Sequence, residues 1–348
     1  MKKHFFYSFL LAIGFIFFAA VSTEVFSAEY YQGKTVRINV GSAPGGGFDT
    51  YARLIARHLP RHIPGNPSVI VENMPGAGGM IAANYVFNLA KPNGLTIAHI
   101  NWSIPQMEFL GTPAVKYRTL DFEWLGLANS SVITVAVGKE SPIQTAQDWI
   151  NPKTPRLIFA CNARTDLTCA TATAMNDIFG PVSKVVPGFG GTALMRAAVM
   201  RNEAHALTGW TWDSVKATGL DMIKAGDLKL LAYIGDRRNP ELEERKVTYL
   251  NDFVKKPEDK AFLKVLTMPA TTVRPWATVP GTPQNLVQIL RQAFAATLKD
   301  PKLLKDAKKQ RVEISPESAE WLVDYFKRTK AELKPEVIKR ARKVVGLD

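Results

Sequence analysis

The segment APGGGFDTYARLIARHL, residues 43–59, has the residue types of an anion-binding turn. Its glycines, Gly45 to Gly47, follow a strand pattern at residues 36–40 and precede an amphipathic helix pattern. Such a turn exposes backbone N–H groups at a helix N-terminus, where the helix dipole contributes about half a positive charge. Similar turns, PGAGG and GFGGT, occupy residues 75–79 and 188–192. The sequence therefore predicts anion binding, with tight turning alone as the alternative reading of these glycines.

The residues around the glycines exclude the two common nucleotide motifs. A phosphate-binding loop needs a lysine after its glycines, where this chain has Phe48 and Asp49. A dinucleotide fingerprint needs a third glycine, where this chain has Thr50 in the first turn and Ile81 in the second. The Asp49 carboxylate would also repel a polyphosphate. A small carboxylate held by backbone amides is the anion that fits, and we predict no cofactor.

Catalytic and metal-binding motifs are sparse. The chain contains five histidines, and it has no G-x-S-x-G or H-E-x-x-H segment and no acid pair with the spacing of a glycosidase. His58 and His62 have helical spacing, but Pro60 between them interrupts a helix and no further ligand cluster follows. We predict a binding protein with no catalytic residue and no metal site.

The N-terminus and the net charge indicate an exported protein. Lys2 and Lys3 precede an apolar run that ends in small and polar residues near Ala28, so residues 1–28 read as a signal peptide. The length of the run leaves an uncleaved membrane anchor as the alternative. The net charge of +13 comes from basic residues scattered along amphipathic helices without stacking aromatics between them, so we predict no nucleic-acid partner.

Two cysteines, Cys161 and Cys169, flank a short loop. In an oxidising compartment they can form a disulfide, and two buried free thiols are the alternative.

Strand and helix patterns alternate along the chain and predict an α/β protein. The first series runs from residue 36 to residue 100, and a second series begins near Val132. Residues 266–283 are rich in Pro and Thr, and we predict an extended return crossing there before the C-terminal helices. The pattern favours two domains, each a mainly parallel sheet flanked by helices.

Several segments together resemble a known family. VRINVGSAPGGGFDTYARLIARHL and VIVENMPGAGGMIAANYVFNLAKPNGLTI are similar to the start of the tripartite tricarboxylate transporter solute receptors, the TctC or Bug family of extracytoplasmic binding proteins. KVVPGFGGTALMRAAVMRNEAHAL, AGDLKLLAYIGDRR and RPWATVPGTPQNLVQILRQAF resemble later segments of the same family in the same order. The similarity covers essentially the whole mature chain.

The resemblance implies a periplasmic protein with the two-domain Venus-flytrap fold of periplasmic binding proteins. It implies a small organic acid held in the cleft between the domains by backbone amides, and delivery of that acid to an integral-membrane permease. We expect a monomer with domain 1 at residues 29–131 plus 268–348 and domain 2 at residues 132–267. By position, the resemblance and the strand ends place ligand contacts at Ser42, Ala43, Gly45, Gly46, Gly47, Phe48, Asp49, Asn101, Trp102, Ser103, Asn162, Ala163, Arg164, Thr165, Gly190, Thr192, Trp210 and Asp213.

Alternatives remain open at individual positions and for the whole protein. Arg164 either grips a second carboxylate or pairs with Asp166. The tryptophans Trp102, Trp210 and Trp212 either stack on a ligand or pack in a core, and Asp49 either contacts a ligand or caps its helix. The alternative functions are an exported α/β enzyme that acts on organic acids and a membrane-anchored carboxylate sensor.

Overall fold

The structure is a computed structural model that describes residues 30–164 and 166–348. The predicted signal peptide and the predicted ligand contact Thr165 lie outside the described residues. The strands are β1 Thr35–Val40, β2 Ser68–Asn73, β3 Thr96–His99, β4 Glu123–Leu127, β5 Ile133–Gly138, β6 Leu157–Ala160, β7 Ser183–Val186, β8 Ala206–Thr211, β9 Leu228–Ile234, β10 Thr248–Tyr249, β11 Pro275–Thr278 and β12 Glu317–Ser318.

Helices cover both faces of the sheets that these strands form. The α-helices are α1 Gly47–His58, α2 Met80–Asn88, α3 Ser103–Phe109, α4 Ala146–Trp149, α5 Leu167–Phe179, α6 Thr192–Met200, α7 Trp212–Thr218, α8 Leu220–Lys224, α9 Pro240–Glu244, α10 Pro257–Thr271, α11 Gln284–Lys299, α12 Pro301–Lys309, α13 Ala319–Glu332 and α14 Pro335–Val344.

The first sheet has six strands in the order β12-β4-β11-β3-β1-β2. β1 pairs in parallel with β2 and β3, whereas β11 pairs antiparallel with β3 and β4. Val36, Ile38 and Val40 of β1 are fully buried, as the alternation in VRINV predicts, and they pack under α1 and α11. We call this sheet and its helices lobe 1.

The second sheet also has six strands, in the order β10-β9-β5-β8-β6-β7. β6 pairs in parallel with β7 and β8, and β5 runs antiparallel to β8 and β9. Helix α5 packs on this sheet, and the C-terminal helix α14 packs against α10 and α5 and contributes Val337, Ala341 and Val344 to the same core. We call this sheet and its helices lobe 2.

The two sheets are mixed, which corrects the prediction that each is mainly parallel. In lobe 1 the strand β11 enters the sheet only after the chain has returned from lobe 2 through α10, and it runs against its neighbours β3 and β4. In lobe 2 the central strand β5 is antiparallel to both of its neighbours. β12 also pairs antiparallel with β4, and the remaining pairs of both sheets are parallel.

The prediction of an extended segment at residues 266–283 is wrong for its first part. Helix α10 continues to Thr271 and contains Pro269 in its interior, where proline removes one backbone hydrogen bond. Leu266, Met268 and Ala270 are buried against neighbouring helices, and this packing outweighs the local preference that we read from Pro and Thr.

The chain passes from lobe 1 to lobe 2 again between α13 and α14, and its other two crossings, between β4 and β5 and between α10 and β11, are adjacent. They are hydrogen-bonded to each other, because the Ala128 N–H donates to the Arg274 carbonyl at 2.9 Å and the Ser131 N–H donates to the Ala270 carbonyl at 3.2 Å. The division into domains at residues 131/132 and 267/268 stays a prediction. Between residues 30 and 348, none of the helices described combines the length and hydropathy needed to cross a bilayer.

Candidate functional site

A cavity of about 370 Å³ lies between the two lobes. Five predicted contacts, Asn101, Trp102, Ser103, Asn162 and Thr192, are among the residues that line it. Its volume lies in the range of small-molecule sites. The other residues of its wall are Gly78, Gln106, Met107, Asp166, Leu167, Thr168, Ala170, Gly191, Gly209, Leu266, Pro269 and Val345.

The cavity lies at the carboxyl ends of parallel strands. Asn101 to Ser103 follow β3 in lobe 1, Asn162 follows β6, and Thr192 begins α6 after β7. Open α/β sheets place ligands at such strand ends, where loops from different strands converge. The same general rule predicted these positions from the sequence.

Close backbone packing shapes the lobe 1 side of the cavity. A Cβ atom on Gly79 would lie 2.7 Å from Asn101 Cβ, and one on Gly41 would lie 2.9 Å from Gly79 Cα. Gly79 also has φ 93°, a conformation that side chains disfavour. The Asn101 Oδ1 atom accepts the Ser103 N–H at 3.0 Å and the Ser103 hydroxyl at 2.9 Å, which fixes the turn into α3. The PGAGG turn is therefore required by packing.

The first glycine loop lies beside the cavity and does not line it. Its residues 43–47 are exposed, and the Phe48 ring meets the Trp102 ring edge-on with centroids 5.8 Å apart. Of the predicted contacts in this loop, Ser42 is half-buried and its carbonyl accepts the Asn73 side-chain amide at 3.0 Å. Through Phe48 the loop contacts Trp102, which lines the cavity.

The Asp49 carboxylate is buried beneath this loop and accepts hydrogen bonds from three neighbouring residues. Its carboxylate accepts the Gly45 N–H at 2.8 Å, the Arg53 Nε–H at 2.9 Å and the Asn73 Nδ2–H at 3.0 Å. The hydrogen bond from Arg53, with those from Gly45 and Asn73, outweighs desolvation and lowers the pKa of Asp49 to about 2. The side chain is buried and its oxygens are occupied, so Asp49 closes the loop onto its helix.

Asp166 has the corresponding place in lobe 2. It caps α5 by accepting the Thr168 N–H at 2.9 Å, and it also accepts the Asn162 Nδ2–H at 2.6 Å and the Ala163 N–H at 3.3 Å. Arg164 is exposed and forms no ion pair within the described part of the chain, so the Arg164–Asp166 pair that we considered is not formed.

The loop that carries these residues is closed by a disulfide between Cys161 and Cys169. Their Cα atoms are 5.2 Å apart, and both side chains are buried. Of the two alternatives for the cysteines, the structure has the disulfide. It holds the end of β6 against the first turn of α5.

Helix α6 presents a backbone donor set to the cavity. Its N-cap residue Gly191 offers no side-chain acceptor, and Gly191 and Thr192 both line the cavity. The N–H groups of the first helical turn have no partner within a helix, so they are available to an anion. Gly190 is exposed on the same turn and does not line the cavity.

Trp210 and Asp213 do not reach the cavity, contrary to our placement of them among the ligand contacts. Trp210 is 1% exposed, and its ring packs tightly against Gly219 and under the guanidinium of Arg196. Asp213 borders a separate open groove with Lys216 and Glu313. Trp212 is also buried, and its indole N–H donates to Glu241 at 2.9 Å. Bulky strand-end aromatics here fill the core of lobe 2.

Sequence reasoning missed residues that come from the return crossing and the helices. Gln106, Met107, Leu266 and Pro269 line the cavity, and no motif marked them. Arg274 lies beside it, with its Cζ atom 4.6 Å from the ring centroids of both Phe48 and Tyr51 and 5.8 Å from that of Trp102. No local spacing relates Arg274 to Phe48, because they meet only through the sheet pairing of β11 with β3.

A larger groove of about 660 Å³ lies elsewhere, lined by Asp236, Tyr249, Lys264 and Glu332 among others. It contains none of the predicted contacts, and Lys264 and Glu332 already pair across it at 2.8 Å. No cluster of three or more metal-binding side chains occurs in residues 30–164 or 166–348. The interlobe cavity is therefore the candidate site.

Comparison with known proteins gives the family. Residues 52–341 match the sequence profile of the tripartite tricarboxylate transporter family receptor, TctC. The chain belongs to this receptor family. BugT of Bordetella pertussis is 34% identical to it over 114 residues, which are 32% of this chain and 34% of BugT. The chain thus aligns with about a third of the length of the curated relatives that it matches.

Solved structures of other binding proteins are similar to this chain in fold. A TctC solute-binding protein from Polaromonas has a TM-score of 0.71 at 21% identity, covering 91% of this chain and all of the other. R. palustris Rpa4515, solved with adipate, has a TM-score of 0.61 at 22% identity, covering 90% of this chain and 97% of the other. The predicted two-lobed binding-protein fold of this family is confirmed.

Proposed function

We propose that this receptor captures a small organic acid in the interlobe cavity and releases it unchanged to the permease of a tripartite tricarboxylate-type transporter. The observation that carries the proposal is the convergence of strand-end loops from both lobes on one cavity, with the uncapped N-terminus of α6 in its wall. Membership of the receptor family and the adipate named with Rpa4515 support a carboxylate as the ligand.

The proposed contacts come from both lobes. Asn101, Trp102 and Ser103 would contact the acid from lobe 1, and Asn162 and Thr192 from lobe 2. Ligand contacts from both lobes make the closed arrangement more stable when the acid is bound, as hinge closure requires. The first glycine loop, which includes Ala43, and residues Ala163 to Thr165 of the lobe 2 loop would make the remaining contacts with the acid.

The cellular setting of the proposal follows from the family and the N-terminal segment. The protein would be exported with residues 1–28 as signal peptide and act in the periplasm as a monomer. Its macromolecular partners would be the integral-membrane subunits of the permease. No step of this function requires catalysis, a metal or a cofactor.

A thermal-shift screen of mono- and dicarboxylates tests the proposal. An acid at about one hundred times its dissociation constant adds about 2.7 kcal/mol of stability. At roughly 2–4 °C per kcal/mol, this raises the unfolding midpoint by several degrees. Mass spectrometry of the acid recovered from the complex should show it unchanged. A converted acid would favour the exported enzyme, and a panel that gives no stabilisation would contradict the receptor.

Gly46 offers a test of the glycine loop within the same screen. Its φ of −81° is ordinary, and an added Cβ would meet only the Ala43 carbonyl at 3.8 Å, so larger residues fit the fold. Gly46→Val should fold normally and lose the acid-induced stabilisation, because its branched side chain covers the exposed amides. Gly46→Ala should retain most of it.

A further inference from the structure

Arg274 lies in the crossing segment between the lobes, directly after α10 and before β11. Its carbonyl accepts the Ala128 N–H from the other crossing segment at 2.9 Å, so its backbone is part of the hinge. Its side chain extends from the hinge to the rings of Phe48, Tyr51 and Trp102. Trp102 in turn lines the cavity, so Arg274 lies one side chain away from the proposed ligand.

The charge of this guanidinium has no acidic partner in residues 30–164 and 166–348. Its Nη1 atom donates to the neighbouring Val273 carbonyl at 2.9 Å, and its Nε atom is buried without a hydrogen-bond partner. Aromatic faces stabilise a cation but leave its N–H donors unused. A half-buried guanidinium with unused donors is suited to receive a carboxylate.

The first glycine loop approaches the same guanidinium. A Cβ atom on Gly47 would lie 3.1 Å from Arg274 Nη2, so a side chain there would press on the guanidinium. The neighbouring N-cap residue of α1, Gly46, supplies no side-chain acceptor to the first helical turn. The side-chain donors of Arg274 and the backbone N–H groups at the start of α1 thus lie together near Trp102, at the edge of the cavity.

Among the residues that the structure describes, the cavity wall itself has no positively charged side chain that could bind a carboxylate. The lining contains no Lys, Arg or His, and its one acidic residue, Asp166, already occupies the N-terminus of α5. The nearby His99 ring is fully buried, and burial, with the positive charge of Arg274, lowers its pKa well below the usual value. His99 is therefore neutral at physiological pH, and Arg274 supplies the positive charge on this side of the site.

We propose that Arg274 is the side-chain anchor for a carboxylate of the bound acid, which it holds together with the backbone of the first glycine loop. This inference rests on the proposed receptor function and adds to it a charged group that sets the ligand class. Because Arg274 belongs to the hinge, a carboxylate bound there contacts the segment that relates the two lobes. Binding is thereby coupled to their closure.

Affinity measurements on matched arginine variants test the anchor. The probes are malate, adipate and benzoate, with adipamide and benzamide as uncharged counterparts. For each acid that binds the wild type, Arg274→Met should weaken binding at least tenfold and erase the preference of acid over amide. Arg274→Lys should lie between, because it keeps the charge and loses the planar fork. Arg57→Met, the same change on the exposed far end of α1, should stay within twofold of wild type.

The outcomes separate this inference from the function on which it rests. If the wild type binds none of the acids, both fail. If the wild type binds an acid and Arg274→Met binds it within twofold, the anchor is wrong and the receptor stands. A tenfold loss in Arg164→Met with none in Arg274→Met also overturns the anchor and moves it to lobe 2. Should Arg274→Met not fold in a thermal melt without acid, the acid-to-amide ratio of Arg274→Lys decides, because a purely structural role leaves that ratio unchanged.

Discussion

The side-chain amide of Gln106 donates a hydrogen bond to the Val265 carbonyl at 2.8 Å. In an unbroken helix this carbonyl would accept the N–H of residue 269, which is Pro269 and has none. Gln106 belongs to α3 of lobe 1, and Val265 belongs to α10, which leads into the return crossing. The bond satisfies the acceptor of the buried residue Val265, next to the cavity-lining Leu266, and joins the helix to lobe 1.

Replacing Gln106 by Leu should lower the free energy of unfolding by about 1–2 kcal/mol, because the Val265 carbonyl then stays buried without a donor. Pro269→Ala restores a backbone donor to the same acceptor. Urea unfolding of the two single variants and the double variant should therefore give a coupling of about 1 kcal/mol. If Gln106→Leu has the same effect in the wild type and in the Pro269→Ala variant, the bond does not replace the missing N–H.

Asp49 should make stability depend on pH in the acid range. Its folded pKa of about 2 lies below the usual value of 3.8, so its contribution is present above the unfolded pKa and is lost as pH falls through the folded pKa. We expect Asp49→Asn to be less stable than wild type by about 1 kcal/mol at pH 7. This loss of stability is modest because Arg53, the ionic partner of Asp49, is half exposed to solvent.

Urea unfolding between pH 6 and pH 2 checks this dependence. The difference between wild type and Asp49→Asn should stay constant above pH 5 and narrow as the pH falls from 4 to 2. Asp324→Asn removes the surface pair with Arg328 and should change stability by less than about 0.5 kcal/mol throughout. A difference for Asp49→Asn that does not narrow would contradict the role of the ionised carboxylate.

The disulfide should stabilise the lobe 2 loop. Cys161 and Cys169 are 8 residues apart, and closing a loop of this length contributes about 2.5 kcal/mol in the chain-entropy model. Replacing both cysteines by Ser should lower the unfolding free energy by about that amount. Dithiothreitol should destabilise the wild type similarly and leave the double variant unchanged. Equal stability of oxidised and reduced wild type would contradict this role.

Trp102 and Trp210 should separate binding from stability. Trp102→Ala removes part of the cavity wall and should weaken binding of the best acid in the screen about tenfold, with a small loss of stability. Trp210→Ala empties a fully buried site and should lower the unfolding free energy by about 3–5 kcal/mol. Calorimetric titration and urea unfolding on both variants measure the two effects. The reverse pattern would place the ligand at Trp210.

Local patterns predicted the elements that contribute most to the site. The alternation in VRINV and the pattern after the glycines predicted β1 and α1, although α1 begins at Gly47 with Gly46 as its N-cap and contains Asp49 in its first turn. Strand ends predicted Asn101, Trp102, Ser103, Asn162 and Thr192 in the cavity wall. These features depend on neighbours in the sequence, so a single chain suffices to find them. Trp210 was misplaced because burial of a strand-end aromatic depends on the residues packed over it.

What the sequence did not reveal depends on contacts between distant segments. Pro269 indicates an extended chain when read locally, whereas packing against distant helices keeps it helical and Gln106 of α3 donates to the Val265 carbonyl that Pro269 leaves without an N–H. The antiparallel entry of β11 and the approach of Arg274 to Phe48 likewise follow from how the return crossing meets lobe 1. Motifs carry no information on such pairs.

A crystal structure of the protein with the acid that stabilises it most tests the central claim most directly. The account predicts one acid molecule in the interlobe cavity, in contact with Trp102 or Ser103 from lobe 1 and with Gly191 or Thr192 from lobe 2. Acid bound instead in the groove at Asp236 and Lys264, or in contact with one lobe only, would contradict it.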